Sequence, residues 1–143
     1  MSTRSIIAYQ NASGIHAVYC HWDGYPAHNG HVLLTAYTDE AKVQALIALG
    51  AISLLAKELE PPTGEEHSFE APLPDVTIAY HRDRNEPWEY THPHTYNDAE
   101  ALFSDTDSYG AEYIYLFNEG TWRWTPCLQA KPNWRVLTAE DCE

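Results

Sequence analysis

The chain is poor in basic residues. It has 8 Lys and Arg against 21 Asp and Glu over 143 residues, which gives a formal net charge of −13 at pH 7. The deficit is local, because residues 58–119 carry fifteen acids and only Arg82 and Arg84, whereas the segments on either side are neutral overall. Nucleic-acid binding through phosphates requires a basic footprint, so we expect no direct nucleic-acid binding. An acidic face suits a basic protein surface or mimics a phosphate backbone, and the simpler alternative is that it only maintains solubility.

Long apolar runs and a disulfide framework are also missing. No stretch approaches the roughly 20 apolar residues that a membrane helix requires, so no membrane association is expected. The N-terminal residues 1–7 contain a single basic residue and no long apolar run, so we expect no secretory signal. Cys20, Cys127 and Cys142 are odd in number and widely spaced, which favours reduced thiols in a cytoplasmic protein.

The known catalytic signatures that we considered are absent. The chain has no Gly-x-Ser-x-Gly, no phosphate-binding glycine loop and no Cys-x-x-Cys. The triplet His81-Arg82-Asp83 resembles a protein-kinase catalytic loop, but the glycine-rich loop and Asp-Phe-Gly are missing and the chain is far too short. We therefore assign no catalytic residue and expect no cofactor.

Hydrophobic periodicity predicts an α+β domain that spans residues 1–143. The expected architecture is an antiparallel or mixed sheet of about five strands, with three to four helices packed on one face. Hairpins are predicted at both ends of the chain, and residues 60–75 and 85–95 are predicted to be exposed loops. The predicted strands are 5–9, 15–22, 76–81, 112–117 and 121–125, and the predicted helices begin at Pro26, after Thr38, at Ala51 and after Asn97.

Functional groups are densest in Tyr19–Pro26, where a predicted strand turns into a predicted helix. Proline is favoured at the first position of a helix, and Asp23-Gly24 has the composition of a bend. Both faces of the strand that precedes this turn are fairly apolar, so we expect the N-terminal hairpin to be central or covered on both sides.

Two His-x-Asp pairs, His21/Asp23 and His81/Asp83, each lie at the end of a predicted strand. Residues i and i+2 of an extended chain lie on the same face, so each pair presents an imidazole beside a carboxylate. If the two strands are neighbours, the four groups would be weak candidates for a metal site or an acid–base site. The alternative is that they make ordinary turn and capping hydrogen bonds. His28 with His31 and His92 with His94 have ligand-like spacings. The first pair is better explained as two solvated residues, and the second as ordinary loop composition.

Exposed aromatic residues and the two central arginines complete the candidate binding surface. Trp and Tyr are favoured at partner-binding surfaces, and Arg82 with Arg84 would form a fork for a carboxylate or phosphate. The alternative is that both arginines pair internally with the surrounding acids. The candidate ligand-binding residues are His21, Trp22, Asp23, Tyr25, His81, Arg82, Asp83, Arg84 and Trp88.

Four motifs together resemble a family of small proteins associated with bacteriophages and prophages: residues 1–5, Tyr19–Pro26, Tyr80–Arg84 and Tyr115–Trp122. The resemblance spans nearly the whole chain and implies an accessory protein that acts in the bacterial host cytosol. It carries no established activity.

Three functional hypotheses follow. The first is a non-enzymatic protein that binds and modulates a host or defence protein through an acidic, aromatic-rich surface, including mimicry of nucleic acid. The alternative is a small-molecule site at the two His-x-Asp strand ends, either a hydrolase or metal-dependent phosphoesterase or a ligand-sequestering protein. The third is a structural protein that forms homo-oligomers through its hairpin edges.

Overall fold

The sheet is built outward from the N-terminal hairpin in a computed structural model, which describes residues 2–143. Strand β1, Ser5–Asn11, pairs antiparallel with β2, Gly14–Cys20. On its other side β1 pairs in parallel with β6, Tyr113–Asn118, which continues as a hairpin into β7, Thr121–Pro126. The two-residue strand β8, Arg135–Val136, closes this edge.

The opposite edge of β2 is shared by two short strands. Strand β3, Ile52–Leu54, pairs in parallel with β2 at Cys20, and β5, His94–Tyr96, pairs antiparallel with residues 15–17. Strand β4, Ile78–Ala79, lies outside β3. The order along the sheet is β4-β3-β2-β1-β6-β7-β8, with β5 beside β2.

The helices are short. A single π-helical turn, Pro26–Gly30, leads directly into α1. The α-helices are α1 (His31–Ala36), α2 (Glu40–Ala48), α3 (Tyr80–Arg84), α4 (Trp88–Thr91) and α5 (Ala99–Ser104), and 3-10 turns follow at Thr106–Tyr109 and Glu140–Cys142. No helix within residues 2–143 has the length and apolar character needed to cross a membrane.

Alternation along β1 supplies two separate cores. Ile7 and Tyr9 point into a core completed by α1 and α2, while Ile6 and Ala8 point into a core on the other face with Leu102 of α5. Each fully buried aliphatic side chain contributes about 1.5–3 kcal/mol, so both faces of β1 stabilise the fold. The expectation that the N-terminal hairpin is covered on both sides is confirmed.

The α+β class is confirmed, and the sheet is mixed, one of the two expected forms. The finer architecture needs correction: within residues 2–143 the sheet has eight strands rather than about five, there are five α-helices rather than three to four, and helices pack on both faces rather than one. The helix predicted from Ala51 is wrong, because Gly50 adopts a positive φ of 80° and the chain then pairs with Cys20 as β3. The loop predicted over 85–95 contains α4 and the start of β5.

Local signals placed most element boundaries to within a few residues. Both hairpins are confirmed, and Pro26 is the first residue of a helical turn, as predicted. The N-caps lie one residue later than predicted: Asp39 accepts from Ala41 N and Asp98 accepts from Ala101 N. In both cases an aspartate that directly follows the expected cap provides the carboxylate instead.

The turn between β2 and the π-helical turn is packed against the N-terminal segment. Gly24 N donates to Thr3 O at 2.8 Å, and its own carbonyl accepts from the buried Tyr115 hydroxyl at 2.6 Å. A Cβ at Gly24 would lie 2.7 Å from Ser5 Cβ and 2.8 Å from Thr3 O. Glycine is therefore required here for close approach of the backbone.

Replacement of Gly24 by alanine is expected to destabilise the protein by about 1–3 kcal/mol, the range for overpacking a well-packed interior. Gly30 is a matched control, because a Cβ there would have no contact closer than 3.4 Å and it lies in a helical backbone conformation. Gly30→Ala should be neutral or slightly stabilising. Urea denaturation of both variants measures the difference, and equal midpoints would contradict the close-packing argument.

Candidate functional site

The two His-x-Asp pairs are not on neighbouring strands. Strand β3 lies between β2, which leads to His21, and β4, which leads to His81. The predicted strand 76–81 stops at Ala79, so His81 and Asp83 belong to α3 instead of an extended strand end. No group of three or more His, Cys, Asp or Glu that could hold a metal ion occurs within residues 2–143. The geometry on which the His-x-Asp metal and acid–base hypotheses depended is therefore absent.

Asp83 is a buried structural group. Its side chain is 3% exposed and accepts from Ala79 N at 2.8 Å, from Arg82 Nε at 2.9 Å and from Arg82 Nη2 at 3.0 Å. His67 Nε2 lies 3.4 Å from the same carboxylate, and its side chain is 1% exposed. The bond to Ala79 N joins the carboxylate to the residue that directly precedes α3.

His67 connects this buried carboxylate to the long irregular loop of residues 60–75. Its Nδ1 accepts from Leu73 N at 3.0 Å, so the ring is the neutral tautomer with hydrogen on Nε2. Nε2 then donates to Thr77 O at 3.1 Å. Arg82 also donates to Leu59 O at 2.7 Å, and Phe69 N donates to Asp83 O at 2.9 Å.

The two central arginines pair with acidic residues of the protein itself. This was the predicted alternative to a fork that binds a carboxylate or phosphate. Arg82 lies against Asp83 and within 3.7 Å of Glu60, while Arg84 lies 3.7 Å from Glu86 and its guanidinium covers the Phe69 ring. They do not form a joint fork toward solvent.

The other candidates at the Tyr19–Pro26 turn also have local partners. Asp23 has a positive φ of 56° and accepts from the Tyr25 hydroxyl at 3.3 Å, so it is a bend residue. His21 Nδ1 lies 2.6 Å from the Tyr19 hydroxyl and its ring contacts Trp22 edge-on. On α3, His81 Nδ1 bonds Glu86 O at 2.8 Å and its ring packs against Trp88.

A cysteine, an asparagine and a histidine form a hydrogen-bonded chain near the same turn. Asn29 Nδ2 lies 3.4 Å from Cys20 Sγ, and His28 Nδ1 lies 2.9 Å from Asn29 Oδ1. Cys20 is completely buried, and burial raises the pKa of its thiol to about 11. A buried thiol of that pKa is inert as a nucleophile. We therefore assign a structural role to the hydrogen-bonded series of Cys20, Asn29 and His28.

An open cleft lies where the edge of β2 is left uncovered. Because β5 pairs only with residues 15–17 and β3 pairs only at Cys20, Tyr19 lies at the edge between them. The cleft has a volume of about 250 Å³. We call it the aromatic cleft, and its lining residues are Tyr19, Ala51, Tyr90, Thr91, His92, His94, Ser108 and Tyr109.

Sequence reasoning identified only parts of this cleft. The spacing of His92 and His94 is ligand-like but is interpreted as loop composition, and Tyr90 lies within the predicted loop 85–95. Tyr109 carries no local signal, since it lies in a short 3-10 turn and reaches Tyr19 only through the fold.

Comparison of the chain with protein-family models, curated proteins and solved structures finds no match. The resemblance to phage and prophage proteins therefore stays a prediction.

The more deeply a cysteine is buried, the more slowly iodoacetamide should modify it. Burial raises the pKa of Cys127 to about 12, and it also raises the pKa of the half-buried Cys142. At pH 8 we expect iodoacetamide to modify Cys142 alone, slowly, and all three thiols only in denaturant. Cys142→Ser should then abolish native labelling, as measured by mass spectrometry. Rapid modification of Cys20 in the folded protein would contradict its assignment as an inert buried thiol.

Loss of the Asp83 carboxylate should release the long loop. Removing one member of a buried, hydrogen-bonded charge pair costs about 3 kcal/mol or more, so Asp83→Ala is expected to lower the free energy of unfolding by about 3 kcal/mol. Hydrogen exchange should rise most in residues 60–75. Glu86→Ala is the control, because it removes an exposed pair worth less than about 1 kcal/mol. Equal effects of the two variants would contradict the anchoring role.

Proposed function

We propose that the protein is a non-enzymatic binding protein that docks onto the basic surface of another protein. The docking surface is the acidic loop, which we define as residues 60–75 with the carboxylates of Glu60, Glu65, Glu66, Glu70 and Asp75. The single observation that carries this proposal is that the loop is long and irregular yet anchored by buried groups.

Both ends of the acidic loop are held together. Glu58 N donates to Asp75 O and Thr77 N donates to Glu58 O, each at 2.9 Å, so the segment closes on itself beside β4. Inside it, His67 is buried against Asp83. Compact loops with close ends and internal packing are frequently functional, and long irregular loops in compact domains are either functional or disordered.

Anchoring matters because binding orders flexible groups at a cost in entropy. Backbone fixed before binding removes about 1–2 kcal/mol per residue from that cost. Glu65, Glu66 and Glu70 are exposed, and no cationic group lies within 4.0 Å of any of them in the part of the chain that the structure describes. Their charges are therefore available to a basic partner.

The proposed docking surface includes only part of the acidic segment 58–119. Asp98, Glu100, Asp105 and Asp107 lie on α5 or beside its ends, on the other side of the sheet from α1 and α2. The aromatic part of the proposed surface adjoins the loop through α3, where Phe69 packs on Tyr80 and His81 packs on the 42% exposed Trp88.

In the context that the resemblance implies, the partner is a host or defence protein in the bacterial cytosol. A subclass of such partners binds DNA or RNA through a basic face, and rows of fixed carboxylates mimic phosphates there. Contacts of this kind accelerate association and weaken as salt rises.

Neutralising the exposed carboxylates should abolish partner capture. The variant Glu65→Gln, Glu66→Gln, Glu70→Gln is compared with Glu100→Gln, Glu119→Gln, Glu140→Gln, an equal charge change on exposed residues outside the loop. Each protein is immobilised and exposed to bacterial lysate at 50 mM salt. Proteins held by wild type and by the control variant, but lost with the loop variant, are the expected result.

Two further measurements define the partner class. Captured proteins should be eluted by raising the salt concentration, and duplex DNA should displace them if the surface mimics nucleic acid. Equal capture by the two triple variants, or capture insensitive to salt, would overturn the proposed docking surface.

A further inference from the structure

We propose that the aromatic cleft binds a small planar aromatic ligand that carries one anionic group. The site is separate from the acidic loop, and the inference does not depend on the proposed function. It rests on the ring-lined wall of the cleft, on an arginine without an acidic partner beside that wall, and on the volume of the cleft.

The wall consists of successive ring contacts. Tyr19 stacks on Tyr109 with centroids 6.1 Å apart, His94 meets Tyr109 edge-on at 5.6 Å, and His92 lies 5.2 Å from His94. Tyr90, which is 76% exposed, stands at the opening. Ring faces and edges of this kind favour a planar aromatic guest, and stacking on one aromatic residue contributes about 1–3 kcal/mol for a nucleobase.

Arg4 supplies the charge. Its guanidinium packs against Gly110, where a Cβ would lie 2.9 Å from Arg4 Nη1, and Gly110 directly follows Tyr109. Arg4 is exposed, and no carboxylate lies within 4.0 Å of it among residues 2–143, although the protein has 21 acids. An arginine left without an acid in such a protein is available for a carboxylate or phosphate, which guanidinium groups bind in bidentate fashion.

The positive charge of Arg4 acts on two neighbouring side chains, Tyr19 and His21. Burial raises the pKa of Tyr19, an effect partly opposed by the Arg4 guanidinium beside its hydroxyl. Partial burial, together with the same positive charge, lowers the pKa of His21. His21 Nδ1 lies 2.6 Å from the Tyr19 hydroxyl. The positive charge of Arg4 therefore acts on both groups at this end of the wall.

The size of the cleft limits the ligand. Its volume of about 250 Å³ falls just below the roughly 300–1,000 Å³ of sites for drug-sized molecules. A volume of this size matches one mono- or bicyclic ring. The proposed ligand carries its charged substituent toward Arg4, which is not itself a lining residue but lies beside the lining residues Tyr19 and Tyr109. Ring faces also attract cations, but Arg4 opposes a second positive charge at this place.

Calorimetry with three probes of equal ring size tests the charge preference: indole-3-acetate, indole and tryptamine. We expect indole-3-acetate to bind wild-type protein about tenfold or more tightly than indole, as a charge-assisted hydrogen bond implies, and tryptamine to bind most weakly. AMP against adenosine tests phosphate as the anionic group. A preference for AMP assigns the site to nucleotides, and a preference for indole-3-acetate assigns it to aromatic carboxylates.

Variants separate the charge of Arg4 from general effects. Arg4→Gln should remove the difference between the charged and uncharged probe of each pair, whereas Arg135→Gln, an equal loss of charge beside Trp124, should leave it unchanged. The triple glutamine variant of the acidic loop should bind the probes like wild type. The inference is overturned if no probe binds at millimolar concentration, if tryptamine binds more tightly than indole-3-acetate, or if Arg4→Gln has no effect.

Discussion

Burial of β1 on both faces is the constraint on which the rest of the structure depends. Residues 5–9 are all buried, and the strand is paired on both edges, so its side chains must be covered from above and below. One face takes α1 and α2, and the other takes α5. Because β2 carries the free edge of this hairpin, short segments from later in the chain complete the sheet there. They leave Tyr19 uncovered between them, and the aromatic cleft opens at that point.

The sequence predicted the elements whose signals are local and missed those that tertiary pairing creates. Turn residues at 11–14 and 118–120 sufficed for both hairpins, and proline sufficed for the start at Pro26. Strands of two or three residues, such as β3 and β8, are too short for alternation to distinguish them from a helix or loop. Placement of helices on both faces was missed because the period of a short helix shows which residues are buried, but not which side of a sheet they cover.

The residues of the candidate site also show that tertiary structure decides what local sequence patterns leave open. The two His-x-Asp pairs share residue types and spacing, yet Asp23 is a bend residue with positive φ and Asp83 is a buried anchor for Arg82 and α3. Backbone conformation and burial, neither of which is encoded in spacing, decide between these roles. Tyr19 and Tyr109 meet across ninety positions because both lie near the end of the central sheet, and no periodic pattern connects them.

The net charge of −13 determines the electrostatic field far from the protein. It does not describe the local field at each part of the surface. At physiological ionic strength, charges are screened over about 8 Å, so an approaching macromolecule responds to the clustered carboxylates that face it. The proposed ligand of the aromatic cleft would instead lie near Arg4, which packs against Gly110 beside the wall, and one near charge outweighs many distant ones. A strongly acidic composition is therefore compatible with a single anion site. Composition restricts the class of macromolecular partner, and only the placement of individual side chains restricts the small ligand.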